Sequence, residues 1–147
     1  MPVLKRITRY PIKGLSGENI ENILLEKNQV LPGDREFAFA RSHVIFDENN
    51  PIYLRKTNFL ALVQDEKLAE LNTKFDHKSK RLIIKIKAET VLDEILKNEI
   101  NLNKVESFFQ RHLGLSEKNK PKLVQGTKNA NTKDFKHSFS DLPDKVI

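Results

Sequence analysis

Hydrophobic and polar positions alternate over the first third of the chain. Residues 3–10 mix β-branched and aromatic groups with basic ones, and Pro11 stops the run by fixing its own φ and biasing Tyr10 towards extended backbone. Residues 19–25 read as a second strand. Leu31-Pro32-Gly33-Asp34 has Pro and Gly where a type II turn prefers them. In residues 35–41, Phe37 and Phe39 share one face and Ala38 and Ala40 the other, the pattern of a strand buried on at least one side. Polar residues 47–51 close it, and residues 51–56 read as its returning partner.

The pattern then changes. Residues 59–71 begin like a strand and end with Leu68 and Leu71 at helical spacing. Residues 73–77 and 82–87 flank a polar turn, and Ile84 and Ile86 alternate with Lys85 and Lys87, which predicts a hairpin. Residues 88–100 read as a charged connector. Residues 103–113 are the clearest helix: Val105, Phe108, Phe109, His112 and Leu113 form one stripe, Asn101 or Asn103 can cap the start, and Gly114 suits a left-handed C-cap. The expected fold is mainly β (α+β): an antiparallel β-barrel or curved sheet with one packed helix near 103–113.

Composition narrows the classes. At 147 residues the chain is one domain, and 38% hydrophobic with 31% charged residues exclude a disordered or collagen-like chain. No apolar run reaches membrane-spanning length, and the charged N-terminus does not read as a signal peptide, so a soluble, cytoplasmic protein is expected with no membrane partner. With no cysteine there is no disulfide, no thiolate nucleophile and no Cys-based zinc site. A net charge of +6 favours anionic partners. The lysines are scattered and not interleaved with exposed aromatics, which speaks for a solvated surface over nucleic-acid binding.

Candidate chemistry lies in three places. His43, His77, His112 and His137 share no ligand spacing, so no metal site is expected, and His112 reads as a packed ring. The loop Lys13-Gly14-Leu15-Ser16-Gly17 offers a cation, a hydroxyl and close backbone approach, which suits a phosphate; the same residues also serve ordinary turns. Arg35, behind the Gly33-Asp34 turn, is either a fork aimed at an anion or an ion-pair partner of Asp34 or Glu36. Arg55, in Arg55-Lys56-Thr57, is a third cationic point or a solvated edge.

Taken together, these segments resemble a family. The run Leu4-Lys5-Arg6-Ile7-Thr8-Arg9-Tyr10-Pro11-Ile12-Lys13-Gly14 looks like the Tyr-Pro-apolar-Lys opening of proteins with an N-terminal MOSC β-barrel domain. Leu31-Pro32-Gly33-Asp34-Arg35-Glu36-Phe37-Ala38 is similar to their Gly-Asp-Arg turn and strand, residues 51–60 to the segment that follows, and His137-Ser138-Phe139-Ser140-Asp141 to the passage into the MOSC domain proper. Members include molybdenum cofactor sulfurases and mitochondrial amidoxime-reducing components.

The resemblance implies a module that helps bind a molybdenum (pyranopterin) cofactor or takes part in sulfur-carrier chemistry. Its cofactor-binding residues would be Lys13, Gly14, Ser16, Arg35 and Arg55, led by Lys13 and Arg35. The family's sulfur- or molybdenum-bearing cysteine has no counterpart here, and Gly14 stands where the reductases often have serine. The chain alone is therefore not expected to be catalytic. The parent would be a reductase or sulfurtransferase, its partner the cysteine-bearing MOSC half in cis or in trans. Pyridoxal phosphate chemistry belongs to a separate sulfurase domain, so no such site is expected. Residues 1–124 would be the barrel domain, and 125–147 a basic loop and the truncated start of the MOSC domain, with Val146-Ile147 opening a strand completed elsewhere. The alternative is a stand-alone small basic β-barrel that binds a protein or nucleic acid.

Overall fold

Side-chain alternation in one short strand organises the interior. The computed structural model describes residues 1–126 and 137–141. In β3 (Phe37–Ala40) all four residues are buried. Phe37 and Phe39 enter one apolar cluster with Ile12, Leu60, Ile84 and Phe109, whereas Ala38 and Ala40 enter a second with Phe59, Val124 and Phe139. A strand covered on both faces needs apolar groups at every position, and here the rings fill the larger core while the methyl groups let the second layer approach closely.

Around β3 lie β1 (Ile7–Arg9), β2 (Glu18–Ile20), β4 (Asn72–Asp76), β5 (Arg81–Ile86), β6 (Glu89–Ile95), α1 (Glu99–His112) and β7 (Lys122–Gln125). They form three antiparallel ladders, β1-β2, β3-β7 and β4-β5-β6. The mainly β, α+β architecture holds, but among the described residues no ladder closes into a barrel. The reason is local. One edge of β3 pairs with β7, and the other is covered by irregular chain: Lys13 N–H donates to the Phe37 carbonyl and Leu60 N–H to the Phe39 carbonyl. Loop backbone satisfies the donors and acceptors that a barrel wall would have used.

Other expectations are corrected. Residues 51–56 form no returning strand; Lys56–Asn58 is a 3₁₀ turn, and the neighbour of β3 is β7. The second strand ends at Ile20 because its partner β1 is only three residues long, and Leu24 and Leu25 are exposed. Residues 88–100 are not a connector, since they contain β6. The segment 59–71 contributes a single bridge at Phe59 and the 3₁₀ turn Glu66–Glu70, which buries Leu68. The hairpin is β4-β5, as expected. The type II turn forms, with Asp34 N–H on the Leu31 carbonyl at 3.1 Å and Gly33 at φ 76°.

The helix starts four residues early, capped by Asn98, whose side chain accepts from Asn101 N–H at 2.9 Å. Val105 and Phe109 are fully buried, while Phe108, His112 and Leu113 are partly so. Gly114, at φ 66°, ends it in the left-handed conformation. Of the expected basic loop and strand start, residues 127–136 and 142–147 lie outside the described residues. Among the described residues no helix is long and apolar enough to cross a membrane.

Candidate functional site

Lysine is rarely buried without a partner, because desolvating an ammonium is costly. Lys13 is 5% exposed. Its backbone is fixed on β3, and its Nζ donates to the Phe139 carbonyl at 2.8 Å and to Asp141 Oδ1 at 2.6 Å. The amine thus holds a segment 126 to 128 residues away in sequence. The next residue, Gly14, has φ 82°, and a Cβ there would stand 3.2 Å from the Leu60 carbonyl oxygen. Only glycine turns the chain there without strain.

Arg35 arrives from the other side. Its own φ is 45°, and its N–H donates to the Tyr10 carbonyl. Asp34 sets the side chain: Oδ1 accepts from Tyr10 N–H at 2.8 Å, and Oδ2 accepts from Arg35 Nη1 at 2.7 Å. The guanidinium lies 4.9 Å from the centre of the Tyr10 ring. Arg35 is therefore an ion-pair partner of Asp34, and also a wall of a pocket. Its carbonyl accepts from Phe139 N–H at 2.8 Å, and the Asp34 carbonyl from Ser138 Oγ at 3.0 Å, so the turn and the segment 137–141 are stitched together.

The pocket, of about 260 Å³, is lined by Tyr10, Lys13, Gly14, Arg35, Lys56 and Asp141 among others, with Leu62 and Val63 at its apolar side. Three cations from three separate loops face one carboxylate from the returning segment. The hydrogen bond from Lys13, and then the charges of Lys13, Lys56 and Arg35, hold the Asp141 carboxyl below its ordinary value against slight burial.

The structure thus brings Lys13, Gly14 and Arg35 together and leaves two expected residues outside the pocket. Ser16 is a clip: its N–H donates to Thr73 Oγ1 at 3.1 Å, and its Oγ accepts from Thr73 N–H at 2.9 Å. That ties the loop to β4. Arg55 is exposed, and its neighbour Lys56 lines the pocket instead. Arg55 is the extended residue before the 3₁₀ turn and Lys56 is the turn's first residue, so the two adjacent cations have different local conformations. Asp141 also lines the pocket. The resemblance marks its segment, but its pairing with Lys13 depends on a contact across almost the whole chain.

The histidines do not converge. His77 Nε2 lies 2.8 Å from Glu18 Oε1, His112 Nε2 3.0 Å from the Lys67 carbonyl, and the His137 ring packs between Phe46 and Phe139. Among the described residues no three His, Cys, Asp or Glu side chains are grouped to hold a metal ion. A larger cavity, about 390 Å³, lies where α1 meets β7, but Glu48, Glu99 and Glu106 line it beside Lys97 and Lys122. Mixed charge of that kind does not select an anion. No family model matches the chain, and no curated protein or solved structure matches it.

Proposed function

We propose that this chain is an anion-binding module that supplies one wall of a molybdenum (pterin) cofactor site, as the N-terminal half of a MOSC-type protein would. The observation that supports the reading is the convergence of Lys13, Arg35 and Lys56 on one pocket. Two of the three are the residues to which the resemblance assigns cofactor contacts.

The residues fit one end of such a cofactor. Arg35 and Lys56 would hold its phosphate, with Lys13 completing the positive wall and Gly14 allowing close backbone approach. At about 260 Å³ the pocket is smaller than the roughly 300–1,000 Å³ typical of sites that enclose a whole ligand. The chain has no cysteine for the molybdenum end. The remainder of the cofactor would rest on a second, cysteine-bearing domain. When bound, the cofactor would supply oxygen-atom or sulfur chemistry; the residues here bind and orient its anionic end and do not react.

The test is a fluorescence titration with a phosphorylated pterin and its unphosphorylated counterpart. The phosphorylated compound should bind at least about tenfold more tightly, and Arg35→Ala or Lys56→Ala should each remove about tenfold of that preference, the scale of one charge-assisted hydrogen bond. Equal affinity for the two pterins, or indifference to both substitutions, would overturn the reading.

A further inference from the structure

The anion pocket already holds an anion of its own. Asp141 Oδ1 sits 2.6 Å from Lys13 Nζ, with its side chain 66% exposed while that of Lys13 is 6% exposed. The buried partner is fixed by the core and the exposed partner can leave into water. Replacing Asp141 on Lys13 thus requires only that the carboxylate swing outwards and be solvated; it does not strand a charge in the interior.

Charge counting says what could replace it. Lys13, Arg35 and Lys56 face Asp34 and Asp141, which leaves one positive charge. A monocarboxylate that displaced Asp141 would leave the same single excess. A dianion would leave none. A tethered carboxylate also competes at an effective concentration of roughly millimolar or higher, so a free monoanion has little advantage over it.

We infer that Asp141 is a built-in competitor for this pocket, which admits phosphate-type dianions over carboxylates and couples their entry to release of the segment 137–141. The inference rests on the anion-site reading above and adds to it the ligand class and the displaced group. Release would be felt along the segment. The Phe139 carbonyl would lose or share its hydrogen bond from Lys13, and the Phe139 N–H bond to the Arg35 backbone carbonyl would open as the segment comes away. Tyr53, whose hydroxyl donates to the Asp141 carbonyl at 3.2 Å, ties the same residue through its backbone and would set how far it moves.

Calorimetric titration of the full chain with inorganic phosphate and with acetate, at about pH 8 where phosphate is chiefly dianionic, tests this on the natural protein, Asp141→Asn and Lys56→Ala. Phosphate should bind Asp141→Asn at least about tenfold more tightly than the natural protein, the competitor having lost its charge. Acetate should bind the natural protein at least about tenfold more weakly than phosphate does. Hydrogen exchange at the Phe139 amide should accelerate in the natural protein as phosphate saturates it, a readout that stands even if the variant does not fold.

Equal phosphate affinity for the natural protein and a folded Asp141→Asn, or an unchanged Phe139 amide at saturation, overturns the competitor. If Lys56→Ala still weakens binding in that case, the anion pocket survives without it. Phosphate binding by none of the three proteins overturns both readings.

Discussion

A single buried ammonium shows what residue-scale chemistry asks of this chain. Lys13 spends two of its three protons on the Phe139 carbonyl and the Asp141 carboxylate. The Asp141 carboxyl is in turn held below its ordinary value of 3.8, chiefly by the hydrogen bond from Lys13. An acid whose folded value is depressed stabilises the fold above its unfolded value, and that contribution disappears as pH falls through the lower folded one. Urea unfolding of the natural protein should therefore lose stability more steeply than Asp141→Asn as pH falls from about 4 into the acid range. The depressed carboxyls of Asp76 and Asp93 are common to both proteins and cancel in the comparison. Parallel acid slopes would show that Lys13 does not depend on Asp141. At this scale the sequence was half readable. Lys13 and Arg35 announce themselves by glycines and a turn beside them, whereas Asp141 has no such neighbours.

Elements were legible where their own side chains dictated them. The β4-β5 hairpin and the stripe of α1 were clear because one period of apolar residues faces one core. Strand β6 was hidden for two reasons. Its outer positions are charged or exposed, with Leu92 and Glu94 turned partly inward. Its turn from β5 places Lys87 and Ala88 at φ 49° and 70°, so the two-residue hairpin lacks the Asn or Gly that normally marks it. The β3-β7 pair was illegible because its strands lie far apart in sequence and no local pattern names a partner. The expected caps Asn101 and Asn103 lie inside the first turns of α1, and the structure shows Asn98 as the cap, accepting from Asn101 N–H. Asn98→Ala should lower stability by about 1 kcal/mol, the usual cost of a lost N-cap, and leave phosphate binding unchanged. Thermal unfolding and the same titration check both parts. A comparable loss from Asn103→Ala would put the helix start back where the pattern suggested.

At the scale of the molecule, two apolar layers share one strand, and the anion pocket opens beside it. Phe139 joins these levels: its ring is buried with Phe46 and Phe59, its N–H is on Arg35 and its carbonyl is on Lys13. Phe139→Ala should cost about 3–5 kcal/mol, as for other buried Phe truncations. It should also tighten phosphate binding in the fraction still folded, because the segment that holds Asp141 on Lys13 loses its anchor. A variant that loses stability but binds phosphate no more tightly in the fraction still folded would show that the Phe139 ring does not hold the competitor in place. Among the described residues the expected barrel is not seen, and loop backbone occupies the free edge of β3.

The long reach from Lys13 to Asp141 has a consequence for synthesis. A ribosome delivers the N-terminal cations first and their carboxylate partner only at the end of the described chain. Strand β3 likewise waits for β7, so both faces of the central strand stay incomplete until late. Throughout that interval Lys13 lacks the carboxylate that it holds in the folded chain. A phosphate-type dianion should therefore meet less competition at Lys13 before Asp141 has been made than after it.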